Sequence, residues 1–159
     1  MASKKDLDGG KTIVCKVNEE LTITLKNVKE VYGHDDSLPF NADLYIRNGA
    51  GKRSKLTAYC SNDGWGGETD IQAVDTAARE TLNKVNEFIK DNYKCVFNVN
   101  NQEHFFVVTL EFLVSIMAEY SIYRDINSFN LSYVKDIVKK WVRNIIMQNV
   151  SSKKHSILR

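Results

Sequence analysis

Histidines, carboxylates close to glycine, and a tryptophan set among glycines are the residues of this sequence whose types and spacing could do chemistry. The histidines are His34, His104 and His155. General acid–base catalysis needs an imidazole held within reach of the proton it moves. A two-histidine phosphodiesterase would want each on a strand beside Thr or Ser. His104 is followed by two phenylalanines, and His155 stands in a basic tail. With no G-x-S-x-G, H-E-x-x-H or Walker pattern either, no catalytic residue is assigned. His34-Asp35-Asp36 offers nitrogen and oxygen ligands, yet consecutive side chains in a loop seldom converge on one ion. It is expected to be an exposed turn. Asp63, Glu68 and Asp70 carry oxygen ligands suited to Mg²⁺ or Ca²⁺. Counted from Asp63, the third and fifth positions are Trp65 and Gly67, which breaks the EF-hand order. No metal and no cofactor is expected.

The candidate site is the stretch from Ser61 to Asp70, and within it Asn62, Asp63, Gly64, Trp65, Gly66, Gly67 and Glu68. Three of the chain's 8 glycines fall here. Glycine so concentrated signals positive φ or the close approach of another group. Trp65 cannot bury its ring among glycines and must reach the core, a partner or a ligand. As a surface anchor it makes the loop a protein-binding site. As a stacking platform beside the N–H groups of Gly64, Gly66 and Gly67, it makes an anion nest for a nucleotide or phosphate. That nest would sit among carboxylates with no Lys or Arg of its own. Help would have to come from Arg79, or from Lys52, Arg53 and Lys55. A metal-assisted phosphodiesterase built on the three carboxylates is the third reading. In the scaffold alternative, Trp65 folds back over a sheet edge and the glycines permit it.

These residues need elements to position them. Ile13, Cys15 and Val17, then Leu21, Ile23 and Leu25, alternate with polar neighbours across Asn18-Glu19-Glu20, a hairpin with one apolar face. A second hairpin sets Ala42, Leu44 and Ile46 against Leu56, Ala58 and Cys60 around an Asn48-Gly49 turn. Its other face carries Tyr45 and Tyr59 as possible neighbours, and both join the candidate binding residues. The glycine stretch comes next. Ala78, Leu82, Val85 and Ile89 then form a helical stripe capped by Asp75 or Thr76 and ending near Asn92. Residues 94–99 read as a fifth strand closed by Asn100-Asn101-Gln102. Phe105 to Val108 suits a strand as well as a helix, and a helix is expected over about 107–124. A last helix, capped by Ser128 or Asn130, carries the stripe Leu131, Val134, Val138, Trp141 and Ile145. Lys135, Lys139 and Arg143 line a basic face of it. The order ββββ-α-β-α-α gives an α+β fold, with an antiparallel sheet of four to five strands and about three helices packed on it. Residues 1–10 form a polar arm, 11–150 one domain, and 151–159 a basic tail.

The totals bound the function classes. The formal charge of +2 is too small to argue for nucleic acid, which is not an expected partner. Residues 1–74 hold 10 basic and 11 acidic side chains and residues 75–159 hold 12 and 9, or −1 and +3. The three cysteines, Cys15, Cys60 and Cys95, are far apart, odd in number and inside strand-like runs, so free thiols in a reducing compartment are expected. The N-terminal lysines have no apolar run behind them, and no stretch approaches the ~20 residues of a membrane span. A cytoplasmic protein without a membrane partner is the expectation.

The hairpin turn Asn48-Gly49 with Lys52, followed by Asn62-Asp63-Gly64 and Gly66-Gly67, resembles small uncharacterised proteins of bacteriophages and mobile elements. In those, an NG-K turn precedes an NDG-GG loop. The likeness spans about residues 41–71, and the inserted Ala50-Gly51 departs from it. By analogy it implies a setting in the host cytoplasm and a modulator of host machinery, defence systems included. The leading expectation is therefore a non-enzymatic interaction protein that binds a host or phage protein through the surface around Trp65, as an inhibitor.

Overall fold

In the computed structural model, residues 10–141, 143 and 144 are described. Strands β1 (Lys11–Lys16), β2 (Leu21–Glu30), β3 (Phe40–Asn48), β4 (Lys55–Asn62) and β5 (Asp70–Ala73) precede helix α1 (Thr76–Asn92). Strands β6 (Lys94–Val99) and β7 (Gln102–Val107), helix α2 (Leu110–Arg124) and the two-residue β8 (Ser128–Phe129) follow. A last helix, α3, comprises the helical residues 132–141, 143 and 144. The main sheet runs β5-β4-β3-β2-β1-β8, and β6–β7 is a separate hairpin.

The α+β class stands, with three helices. The sheet is larger than expected and mixed rather than antiparallel, because β8 pairs parallel to β1 through Val14–Ser128 and Cys15–Phe129. Two residues carry no periodicity to read. Neither do the four of β5, which pair with β4 where the glycine stretch was expected to run on to the helix. Strand β6 is not a fifth strand of the main sheet. It pairs with β7 across Asn100 and Asn101, whose φ of 52° and 65° make the tight turn. The helix expected from residue 107 begins at Leu110, because Val107 pairs with Lys94 and the Thr109 hydroxyl caps the Phe112 N–H at 3.1 Å.

The first hairpin forms as its alternation requires. The Asn18 side chain closes its turn by accepting from the N–H groups of Glu20 and Leu21, both at 2.8 Å. Ile13, Cys15, Ile23 and Leu25 are fully buried. In the second hairpin a bulge intervenes. Leu44 pairs with Ala58 but Tyr45 pairs with Leu56, so Thr57 is the extra residue. Leu56 therefore shares the face of Tyr45, not that of Ala58 and Cys60 as the alternation implied. Helix α1 is capped by Asp75, whose Oδ1 accepts from Ala78 N–H at 2.7 Å, and buries the expected Ala78, Leu82, Val85 and Ile89. Helix α2 is buried on more than one stripe, at Leu113, Val114, Ile116, Met117 and Ala118. Asn130 caps α3, accepting from Ser132 N–H at 2.9 Å, and Val134 and Val138 are buried. Ile145, the 1–9 part of the arm and the 151–159 tail lie outside the described residues. No helix among those described is long and apolar enough to cross a membrane.

All three cysteines are free and buried. Burial pushes the Cys15 and Cys60 thiols up to about 12, with Asp43 and Asp70 adding to the effect at Cys60. Cys95 is raised by burial and partly offset by Lys135 and Lys139. The folded chain holds these protons where the unfolded chain, with ordinary thiols near 9, releases them. Folding stability is therefore expected to fall above pH 9, by about 1.4 kcal/mol per buried thiol per pH unit until pH 12. A Cys15→Ala, Cys60→Ala double variant should lose most of that slope in urea titrations. The same slope in the variant would disprove the assignment.

Candidate functional site

Two loops leave the sheet side by side. Phe40, first residue of β3, pairs with Glu30 at the end of β2 and with Asn62 at the end of β4. The β2–β3 loop and the glycine loop therefore start from one point. They are cross-linked through backbone. His34 N–H donates to the Asp63 carbonyl and Ser37 N–H to the Gly64 carbonyl, each at 3.0 Å. The approach is so close that a Cβ on Gly64 would overlap the His34 carbonyl, and one on Gly33 the Asp63 carbonyl. Here the glycines permit one loop to lie on another.

Side chains complete the clasp. Asn62 Oδ1 accepts from Gly64 N–H at 2.8 Å and from the Ser37 hydroxyl at 2.9 Å. Its amide donates to the Gly67 carbonyl and to the Thr69 hydroxyl, each at 3.2 Å. Trp65 N–H donates to Asp63 Oδ1 at 3.1 Å and Gly66 N–H to the Ser37 hydroxyl at 3.0 Å. The far end of the loop is tied to α2. Thr69 N–H donates to Glu111 Oε1 at 2.7 Å, and the Thr69 and Ser115 hydroxyls lie 2.7 Å apart. Of the three donors expected to form an anion nest, those of Gly64 and Gly66 are thus spent inside the protein, as is that of Trp65 between them.

Trp65 is a surface residue, 66% exposed. Its ring lies flat on that of His34, with centroids 4.0 Å apart and planes 13° from parallel. It folds onto the neighbouring loop, not over the sheet edge. Offset stacking of this kind adds about 1 kcal/mol and fixes the rotamer. His34 Nδ1 lies 3.1 Å from Asp36 Oδ2 and 3.9 Å from Asp35 Oδ1. The three side chains do converge, with ligand atoms within 4.8 Å of one another, against the expectation for consecutive loop residues. Asp35 is fully exposed and Asp36 more than half so, and the imidazole face is committed to Trp65. Asp63, Glu68 and Asp70 form no such group among the described residues. Asp63 caps Trp65 N–H, and Asp70 accepts from Gln72 at 2.8 Å.

Between the clasp and the helices α2 and α3 opens a cleft of about 890 Å³. Phe106, Phe112 and Trp141 line it as an edge-to-face series, with centroids 5.0 Å and 5.4 Å apart. Asn62, Gly66, Gly67 and Glu68 from the expected site stand on it, with His34 and Ser37. Tyr45 and Tyr59 do not line it. They lie on the outer face of the sheet, where Tyr59 pairs with Asp43 and the Lys26 ammonium sits 4.3 Å above the Tyr45 ring. Lys135, Lys139 and Arg143 are exposed on α3 and do not line it either. His34, Ser37, Glu111 and Ser115 were missed as site residues. Only Gly33, a glycine beside a polar run, hinted that a second loop must come close. In comparisons with protein-family models, curated proteins and solved structures, nothing matches this chain.

Proposed function

We propose that this chain is a non-enzymatic interaction protein that binds a partner protein through the Trp65–His34 face. One observation carries the reading: an exposed tryptophan, stacked on His34 and held on a loop whose Gly64, Trp65 and Gly66 N–H groups are bonded within the protein. An aromatic anchor immobilised before binding loses little entropy on association, the property that makes tryptophan frequent among interface hot spots. A host or phage protein is the partner to test first, inhibition of a host defence protein being the role that the phage-like hairpin and glycine loop imply. Nucleotide binding at the same loop is the weaker reading, since two of the three expected nest donors, Gly64 and Gly66, donate internally.

The test is Trp65→Ala. The ring is mostly solvated, so folding stability is expected to change by no more than about 1.5 kcal/mol, the worth of its stack. Capture of the partner from host lysate should weaken about 30-fold or more, as expected for an anchor worth about 2 kcal/mol. A folded Trp65→Ala protein that captures its partner as well as the parent would end the proposal.

A further inference from the structure

The cleft beneath the clasp has a composition of its own. Six carboxylates line it: Glu30, Asp35, Asp36, Glu68, Glu111 and Glu119. Among the described residues no Lys or Arg does, and His34 is the only group there that can turn positive. Glu111 is committed to Thr69 and Ser115, but Glu30, Asp35, Glu68 and Glu119 are exposed. Aromatic surface accompanies them. Tyr32 is wholly exposed, Tyr123 is 63% exposed and Trp141 44%, and all three line the cleft. The fold covers aromatic rings with cations elsewhere, Lys26 over Tyr45 and Arg124 over Tyr120, both at 4.3 Å. No such cation covers Tyr32, Tyr123 or Trp141 among the described residues.

We infer that this cleft receives an extended Lys/Arg-bearing peptide segment of the partner protein, an inference that rests on the protein-binding reading above. Charge complementarity selects the occupant. Carboxylates around a low-dielectric floor repel an acidic ligand and leave an apolar one with nothing to offset their field. A guanidinium or ammonium group satisfies both parts. Its charge meets Glu30 or Glu119, while its stem and planar face lie on the tyrosine and tryptophan rings. The volume suits a short run of side chains rather than a folded domain. Trp65, on the loop that borders the cleft, then anchors the same partner from outside.

Fluorescence anisotropy on the full chain, with a labelled Arg/Ala peptide and its Glu/Ala counterpart, tests this. The Arg/Ala peptide should bind and the Glu/Ala peptide should not, and binding should weaken several-fold as salt rises beyond ~0.15 M. Glu30→Gln with Glu119→Gln should weaken it roughly tenfold, and so should Tyr123→Ala. The double Gln variant relieves like-charge repulsion, so its melting temperature should not drop and a folding defect cannot mimic the loss. Equal binding of the two peptides, or full binding by the double Gln variant, overturns the inference. So does a cleft that takes spermine, or Mn²⁺ through His34, while ignoring the Arg/Ala peptide. Peptide binding seen only after residues 151–159 are deleted assigns the cleft to the chain's own basic end and likewise overturns it. If Trp65→Ala loses partner capture while the peptide is ignored, the protein-binding reading survives and this inference alone falls. The reverse pattern moves the interface from Trp65 into the cleft.

Discussion

Gly64→Ala is expected to cost more than about 3 kcal/mol of folding stability, the largest effect of an added methyl group at any described glycine. Two terms add. Gly64 has φ +86°, where an L residue costs about 1–2 kcal/mol. Its Cβ would also overlap the His34 carbonyl, which is backbone and cannot rotate away. The loops must part, and the His34–Asp63 and Ser37–Gly64 hydrogen bonds go with them, at about 1 kcal/mol each. Neighbouring glycines supply the controls. Gly66 has the same φ of +86° but only the Asp36 side chain at 3.6 Å, so Gly66→Ala should cost the strain alone, about 1–2 kcal/mol. Gly67 has open space and no positive φ, so Gly67→Ala should be nearly neutral. Urea unfolding of the three variants should rank them in that order. A Gly64→Ala protein within 1 kcal/mol of the parent would mean the loops are not clasped as described.

That ranking was out of reach of the sequence, which presents Gly64, Gly66 and Gly67 as equivalent. What separates them is a second loop more than two dozen residues upstream, and a loop–loop contact leaves no periodicity. Periodic elements were legible for the opposite reason. Ile13, Cys15, Ile23 and Leu25 alternate because one face is buried, and Ala78, Leu82, Val85 and Ile89 recur because one helix stripe is. Where burial is not one-sided the signal fails. Helix α2 is buried around much of its surface, so its start blurred into the aromatic strand β7. The Leu56-Thr57 bulge reverses an alternation without changing composition, so Leu56 was assigned to the wrong face.

The candidate site divides along the same line. Asn62 and Trp65 were visible as residue types, because a glycine-flanked tryptophan has few local ways to bury its ring. Their partners were not. His34 and Ser37 join them, and Glu111 and Ser115 join Thr69 at the loop's far end, through contacts between residues 25 to 46 positions apart. Tyr45 and Tyr59 were drawn in by sharing a sheet face, and the register separates that face from the clasp. The cleft itself arises from packing α2 and α3 beside two loops, an arrangement that no local pattern encodes.

Phe40→Ala tests whether the site and the core are one unit, and it is expected to cost about 3–5 kcal/mol. Phe40 is 2% exposed and the largest fully buried side chain of the protein's described part. Its removal leaves a void at the sheet end where β2 and β4 both release their loops, because its backbone pairs with Glu30 on one side and Asn62 on the other. The walls of such a void close only in part, and here they include the base of the clasp. Phe40→Leu, nearly conserving volume, should cost no more than about 1.5 kcal/mol. Even so, it should speed hydrogen exchange at His34 and Ser37, whose N–H groups hold the loops together, before it affects Met117 in the middle of α2. Trp65 fluorescence in a Trp141→Phe background should report the same loosening as a red shift. If Phe40→Ala costs under 1.5 kcal/mol, or Phe40→Leu leaves His34 and Ser37 as protected as before, the clasp stands independently of the core and Trp65 owes its position to the loops alone.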